Sequence, residues 1–363
     1  MTSCRMLEGM GEMSKEERDA AAARRARRQG RGPIGTPPGD GGGPVEVLSL
    51  LGHFATWVQY RGHRQRAFLA SHGIRHGWSH ARDAATLKAE IEARGVRVVL
   101  NEVWHLPLPE MARLAADFPA VQFVPVNHGV PGWVATRYSK IHYEILRLAR
   151  ELPNCHYGTV MSSERVAAPV GSKVVSLPNF CTLPEDLPER EPGPPTVSLI
   201  ARDEEGKQWG AAIAAVALAA RSVPDLHVVV GCPDVFGGIG PHLAHLDEIG
   251  VPWARMLWGD WESYLDRVAR TVDCHLTAST AESFCLVPLE HCLLGRPAVG
   301  TPAVEWLPER WQAHTQRPAD LACRLTGLFS DYESSSRHAR GVAGNVVDRN
   351  HRHLIASLHR LLG

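Results

Sequence analysis

Long apolar runs are missing from this chain. No uninterrupted stretch approaches the roughly 20 residues that a bilayer-spanning helix needs, so the expectation is a soluble protein. Net charge is missing as well. Thirty-nine basic side chains balance 39 acidic ones, and no global field draws the molecule to nucleic acid or a membrane surface. The eight cysteines, Cys4, Cys155, Cys181, Cys232, Cys274, Cys285, Cys292 and Cys323, form no C-x-x-C pair. Their mostly apolar surroundings read as buried, reduced thiols of a cytoplasmic protein. A core-forming period is absent from residues 1–44, where five arginines (Arg24, Arg25, Arg27, Arg28, Arg31) lead into a Gly/Pro tract ending at Pro44. This segment reads as a solvated, disordered arm. Its arginines offer weak binding to an anionic surface, and no signal peptide follows from them because Gly/Pro takes the place of an apolar stretch.

What is present is ample for two cores. At 363 residues, with 44% hydrophobic side chains, the chain predicts two domains of roughly 150 residues and hence a cleft. From Val45, apolar strands alternate with helical patterns, the signature of a parallel sheet. Strands are expected at Val45 to Gly52, Val96 to Asn101, Val121 to Val126, Cys155 to Met161 and Lys173 to Leu177. Helices are expected at Asp83 to Arg94, Pro109 to Asp117 and Ser139 to Glu151. Ligands of open α/β sheets bind beyond the carboxyl ends of the strands. Three such ends carry histidine: Gly52-His53, Trp104-His105 and Asn127-His128-Gly129. His128 stands out, because Gly129 lets the backbone turn sharply behind it. His53, His63, His72, His76, His80 and His105 read as polar loop residues.

Pro178 to Pro195 is dense in proline and reads as a stiff linker. The alternation then restarts: strands Thr196 to Ile200, Leu226 to Val230, Trp253 to Leu257 and Cys274 to Thr277, with helices Gln208 to Ser222, His242 to Ile249 and Trp261 to Val272. Helices Pro318 to Phe329 and roughly Asp348 to Leu362 close the chain. The organisation expected is an arm (1–44), a first α/β domain (45–180), a linker (181–195), a second α/β domain (196–345) and a terminal helix (346–363).

Two places in the second half carry chemistry. After strand Thr196 to Ile200 come Arg202 and Lys207, a guanidinium fork and a point charge able to neutralise a pyrophosphate. That spacing alone is also that of ordinary surface charges balanced by Asp203, Glu204 and Glu205. The second place is Thr277 to Thr301, T-A-S-T-A-E-S-F-C-L-V-P-L-E-H-C-L-L-G-R-P-A-V-G-T. Pro288 fits a first helical position and Gly295 a left-handed helix stop. The amides of Phe284, Cys285, Leu286 and Val287 then converge ahead of a helix start, a place that attracts phosphate. Glu282 and Glu290 flank that run, and carboxylates accept from vicinal sugar hydroxyls.

The stretch E-S-F-C-L-V-P-L-E-H-C-L-L-G-R-P-A-V resembles the E-x7-E donor signature of the retaining GT-B "group 1" glycosyltransferases, glycosyltransferase family 4. A-R-D-E-E-G-K, V-P-V-N-H-G and S-L-P-N resemble further landmarks of that family, in the same order, so the resemblance covers roughly residues 45–360. It implies an α/β GT-B fold: two Rossmann-like parallel-sheet domains facing across a cleft, with C-terminal helices. It implies transfer of a sugar from a nucleotide-diphosphate donor to a hydroxyl acceptor, with retention and without a metal or other cofactor. Arg202 and Lys207 would hold the diphosphate and Glu290 the ribose. Glu282 would bind the donor sugar, with Ser283, Phe284, Cys285 and Leu286 lining phosphate and sugar, and His128 would contact the sugar from the facing domain. The chain departs from the pattern at Cys285 and Phe180, where glycine is usual, and in the Gly52 to Gly62 loop, which lacks paired glycines. Two other readings stay open: a nucleotide-sugar epimerase or phosphorylase of the same fold, and an inactive binding or scaffold protein. The acceptor, whether small molecule, glycan, protein or nucleic acid, is unread.

Overall fold

The strand sequences lack polar alternation because both of their faces are covered. V-L-S-L at Val47–Leu50 (β1) and T-V-S-L-I at Thr196–Ile200 (β7) are buried at every residue, as strands of parallel sheets sandwiched by helices must be. In the computed structural model, the described residues are 44–363 without 51–55, 103–105, 129–138, 161–172, 203–204, 233–238, 257–260 and 315. The arginine-rich arm and His53 and His105 therefore lie outside the described residues.

The first sheet is built from β1, His76–Ser79 (β2), Val98–Asn101 (β3), Gln122–Asn127 (β4), Tyr157–Thr159 (β5) and Val174–Ser176 (β6), all parallel, in the order β2-β1-β3-β4-β5-β6. The helices between them are Thr56–Ser71 (α1), Ala84–Arg94 (α2), Leu108–Asp117 (α3) and Ser139–Glu151 (α4). Helix α2 starts where Asp83 Oδ1 accepts from the Thr86 amide at 2.8 Å and stops at Gly95, whose φ of 66° only glycine adopts freely.

The second sheet joins β7, His227–Gly231 (β8), Trp253–Arg255 (β9), Cys274–Leu276 (β10) and Ala298–Val299 (β11), again parallel, in the order β11-β10-β7-β8-β9. Its helices are Trp209–Ala219 (α5), Gly240–Glu248 (α6), Trp261–Thr271 (α7), Leu286–Leu293 (α8) and Pro318–Ser330 (α9).

The final helix, Tyr332–Leu362 (α10), has 31 residues and reaches about 46 Å at 1.5 Å per residue. It belongs to both cores. Ala339, Ala343 and Val346 pack into the second lobe, whereas Leu354, Leu358, Leu361 and Leu362 pack into the first with Val47, Val98 and Val124. Phe180 is buried at this junction, its ring stacked on His351 (centroids 4.7 Å apart) and tilted against Phe68. The residue that departs from a glycine pattern thus fills the hinge core.

Three expectations are corrected. His76 is not a loop residue: it lies in β2, 3% exposed, hydrogen-bonded through Nε2 to Ser49 Oγ at 2.9 Å. H-G-W-S has no apolar pattern, and only its neighbours β1 and α1 make it a strand. The stretch from Gly52 to Gly62 is not loop throughout, since α1 begins at Thr56. The last helix starts at Tyr332, not near Asp348. S-S-S-R-H-A-R-G-V-A-G has weak helix propensity, but its small residues Ser335, Ser336, Ala339 and Ala343 let it pack closely on the lobe.

Candidate active site

In an open parallel sheet, the crevice forms where consecutive connections leave in opposite directions. In the second lobe that point lies between β7 and β10: the chain passes from β7 to β8 on one side and returns to β10 on the other. The loops leaving these two strands carry Arg202 and Lys207, and Glu282 through Leu286. The topology therefore brings together residues that lie some 75 apart in the chain.

Short hydrogen bonds fix the two loops. Thr280 donates from its amide to Gly206 O at 2.9 Å, Thr301 Oγ1 donates to Ser279 O at 2.5 Å, and Trp306 Nε1 donates to Phe284 O at 2.8 Å. Trp209 Nε1 donates to Arg202 O at 3.2 Å. Between the loops, the Lys207 ammonium and the Glu282 carboxylate form an ion pair, with side chains only 12% and 8% exposed. Burial works to lower the Lys207 pKa, but the Glu282 charge and the hydrogen bond to it outweigh burial and hold the pKa above its ordinary value.

Helix α8 does not begin at Pro288. Its first residue is Leu286, which puts Pro288 third, and its N-cap is Cys285 with φ 60° and ψ 81°. Pro288 has no N–H to lose there either, because the first four donors of a helix lack partners within it. The Cys285 side chain makes no cap hydrogen bond to the first turn. At a left-handed φ of 60° glycine is the unstrained residue, so Cys285 holds a strained backbone here. Burial, with Glu282 beside it, pushes the Cys285 thiol well above its ordinary pKa. A thiol held there stays protonated at neutral pH. Gly295 ends the helix in the left-handed conformation expected of it (φ 75°).

Glu290, 2% exposed, accepts from Trp261 Nε1 at 2.9 Å. The Arg64 guanidinium of α1 lies 5.7 Å over the Trp261 ring, 3.7 Å from Glu262 and 2.5 Å from the linker carbonyl of Leu183. One arginine of the first lobe thus steadies the tryptophan that holds Glu290.

Beneath the loops lies a buried polar relay. His291 Nδ1–H donates to Val287 O at 2.8 Å, so its Nε2 accepts from the Ser198 hydroxyl at 2.9 Å. Ser198 has only that one proton, and so His275 Nδ1–H must donate to Ser198 Oγ at 2.9 Å. His275 Nε2 is then a buried acceptor with no partner. Both rings are neutral. Burial pushes His291 down to about 4 and His275 well below its ordinary range.

On the first lobe, His128 follows β4 and is part-exposed, with Nε2 3.2 Å from Glu102 Oε2. Glu102 escaped the sequence reading, as did Trp261, Trp306 and the serine–histidine relay. The signal for Glu102 was available: it directly follows a buried strand adjacent to β4. A cavity of about 360 Å³ opens between the lobes, lined by Val160, Ser176 and Pro178 on one side and by Glu282, Ser283, Phe284 and Trp306 on the other. His128 is not among its lining residues. Among the described residues, no group of three or more His, Cys, Asp or Glu side chains is arranged to hold a metal ion, and no helix is long and apolar enough to cross a membrane.

No family model matches the chain, and no curated protein matches it. Solved structures do. A glycosyltransferase from Rickettsia africae superposes with a TM-score of 0.62 at 14% identity, over 88% of this chain and 99% of that one. An Anabaena protein crystallised with UDP-glucose gives 0.61 at 14% identity, over 87% and 98%. Sucrose-phosphate synthase from Thermosynechococcus elongatus gives 0.60 at 14% identity, over 86% and 94%. Two parallel-sheet lobes, bridged by a terminal helix and superposing on these proteins nearly end to end, define the GT-B architecture.

Proposed function

We propose that this protein is a retaining glycosyltransferase of the glycosyltransferase family 4 type, which moves a sugar from a nucleotide-diphosphate donor to a hydroxyl acceptor without a metal. The observation that carries the reading is the set of buried charges at the β7/β10 switch point: the Lys207–Glu282 pair and Glu290 held by Trp261. Carboxylates accept from vicinal hydroxyls, which a ribose and a donor sugar both present, and the Lys207 ammonium suits a diphosphate. The donor-side lobe is 196–345 and the acceptor-side lobe 45–180. The nucleotide sugar in the Anabaena structure supports UDP-glucose as the first donor to try.

In this reading Arg202, Lys207 and the Leu286 and Val287 amides neutralise the departing diphosphate. Glu290 orients the ribose, Glu282 and Ser283 the donor sugar, and His128 contacts that sugar from the facing lobe. Phe284 and Cys285 shape the cradle. The bond from the anomeric carbon to the diphosphate oxygen breaks as the acceptor oxygen attacks on the same face. The acceptor proton passes to the leaving phosphate oxygen, so no pair of glycosidase-type carboxylates is needed. Cys155, Cys274, Cys285, Cys292 and Cys323 are thiols outside any disulfide, which suits a cytoplasmic site of action.

A thermal-shift panel of nucleotide sugars tests the reading. The true donor stabilises the fold by about 2.7 kcal/mol at a hundredfold excess over its Kd. Glu290→Ala should abolish most of that shift, and release of nucleoside diphosphate should require acceptor. Stabilisation by no nucleotide sugar, or a Glu282→Ala variant with unchanged turnover, would sink it. Donor breakdown or isomerisation without acceptor would favour an epimerase or phosphorylase, and binding without turnover a scaffold.

A further inference from the structure

Two adjacent strands of the first sheet end alike. β3 closes on Asn101 and β4 on Asn127, both buried, and the next residue in each case bears a titratable side chain, Glu102 and His128. Asn101 Nδ2 donates to Leu106 O at 2.9 Å, and Asn127 Nδ2 donates to Tyr157 Oη at 2.5 Å. The 3.2 Å contact between His128 Nε2 and Glu102 Oε2 therefore joins two anchored strand ends. Strand register sets the depth of each partner. Asn127 pairs with Thr159, so His128 stands level with Val160, a wall of the interlobe cavity. Asn101 pairs with Pro125, so Glu102 stands level with Val126, two residues or about 7 Å deeper. The imidazole is the more exposed of the two side chains.

Stability does not account for this pair. A part-exposed pair adds little to the fold, and turning a carboxylate inward costs hydration. What the contact does fix is the protons of the ring. A carboxylate only accepts, so Nε2 carries the hydrogen, and in the neutral ring Nδ1 is left as an acceptor. Hydrolytic triads divide labour in the same way, a carboxylate holding an imidazole in one orientation and one tautomer without touching the substrate.

We infer that Glu102 is a positioning residue for His128: it orients the imidazole and fixes its Nε2–H tautomer, so that Nδ1 accepts from a hydroxyl of the donor sugar. The tautomer rests on the pair alone. The sugar hydroxyl as partner of Nδ1 rests on the glycosyltransferase reading above.

Two measurements on the full chain keep those halves apart. Long-range nitrogen–proton NMR reads the ring in the ligand-free protein, with the His128 signals identified by their loss in His128→Gln. The wild type should show the Nε2–H tautomer, Glu102→Gln should keep it because the amide oxygen still accepts, and Glu102→Ala should show both tautomers. An Nδ1–H ring in the wild type, or an unchanged ring in Glu102→Ala, would overturn the positioning. Calorimetry with UDP-glucose, and with UDP as the sugar-free control, reads the contact. Glu102→Ala should weaken UDP-glucose about fivefold, the equivalent of one hydrogen bond of about 1 kcal/mol, and leave UDP unchanged. Glu102→Gln should restore most of that affinity. The double variant should bind UDP-glucose no more weakly than His128→Ala, since two residues acting through one contact do not add. A loss shared equally by UDP, or one that adds to that of His128→Ala, would make Glu102 a structural carboxylate and overturn the inference. UDP-glucose held no tighter than UDP by the wild type would overturn the sugar contact and leave the tautomer to the NMR result. Binding of neither nucleotide would sink the glycosyltransferase reading, and the ring's dependence on Glu102 would still stand or fall on its own spectrum.

Discussion

The two lobes solve the same problem with different thoroughness. In each, the first strand carries a buried serine, Ser49 in β1 and Ser198 in β7, and each serine bonds at 2.9 Å to a histidine of a neighbouring strand, His76 or His275. In the first lobe that contact joins β1 to the sheet's edge strand. In the second it extends through His291 into α8, the helix that carries Glu290. The charged pairs differ likewise: Lys207–Glu282 is almost wholly buried, whereas His128–Glu102 is 32% and 15% exposed. On the glycosyltransferase reading proposed above, a lobe that holds a highly charged diphosphate in fixed geometry gains from rigid, pre-paired groups, whereas a lobe that only approaches the sugar can leave its contacts looser.

The sharpest way to break that contrast is to delete one partner of each pair. Lys207→Ala strands the Glu282 carboxylate and should cost about 3 kcal/mol of stability. His128→Ala should cost about 0.5 kcal/mol, as a part-exposed pair does. Urea midpoints measure both, and equal losses would end the distinction.

The serines give the next largest effect. Ser198→Ala removes a group that bonds two buried rings and should cost about 2 kcal/mol; Ser49→Ala, with one ring, should cost about 1 kcal/mol. The same relay has a pH signature. An unfolded histidine takes up a proton below about pH 6.5, whereas burial delays His291 until about 4. Its folded pKa is depressed, so unfolding takes up a proton in between. Stability is full above about 6.5 and falls as pH drops towards about 4, by about 1.4 kcal/mol per pH unit for this group. His156 in the first lobe, pushed by burial to about 4, adds a smaller share, because its half-buried ring is partly screened by solvent. Urea unfolding at stepped pH should show each share vanish in His291→Gln and His156→Gln; an unchanged slope would mean the rings are not held neutral.

The smallest effect is at the cradle. Cys285→Gly relieves a left-handed backbone and should raise stability by about 1 kcal/mol while keeping nucleotide-sugar binding. A loss of binding would give the thiol a role of its own.

Much of this molecule is readable from residues alone, because buried parallel strands and capped helices write themselves locally. Thr196–Ile200 and Ser139–Glu151 were legible to the residue. The E-x7-E run and the A-R-D-E-E-G-K loop marked the candidate site. Elements whose sequence has no pattern of its own were not legible: H-G-W-S, a strand only by its neighbours, and the serine- and glycine-rich first half of α10, helical because small residues allow close packing.

What the sequence by itself determined is the supply of groups: two runs of apolar strands, a proline-rich hinge, two glutamates at fixed spacing and two cations after a strand. Local periodicity and turn chemistry specify those. The tertiary structure decided the pairings. It set Lys207 against Glu282, Trp261 against Glu290 and Glu102 beside His128. Strand order and a helix shared by both cores determine which distant residues meet, and no local signal records that order.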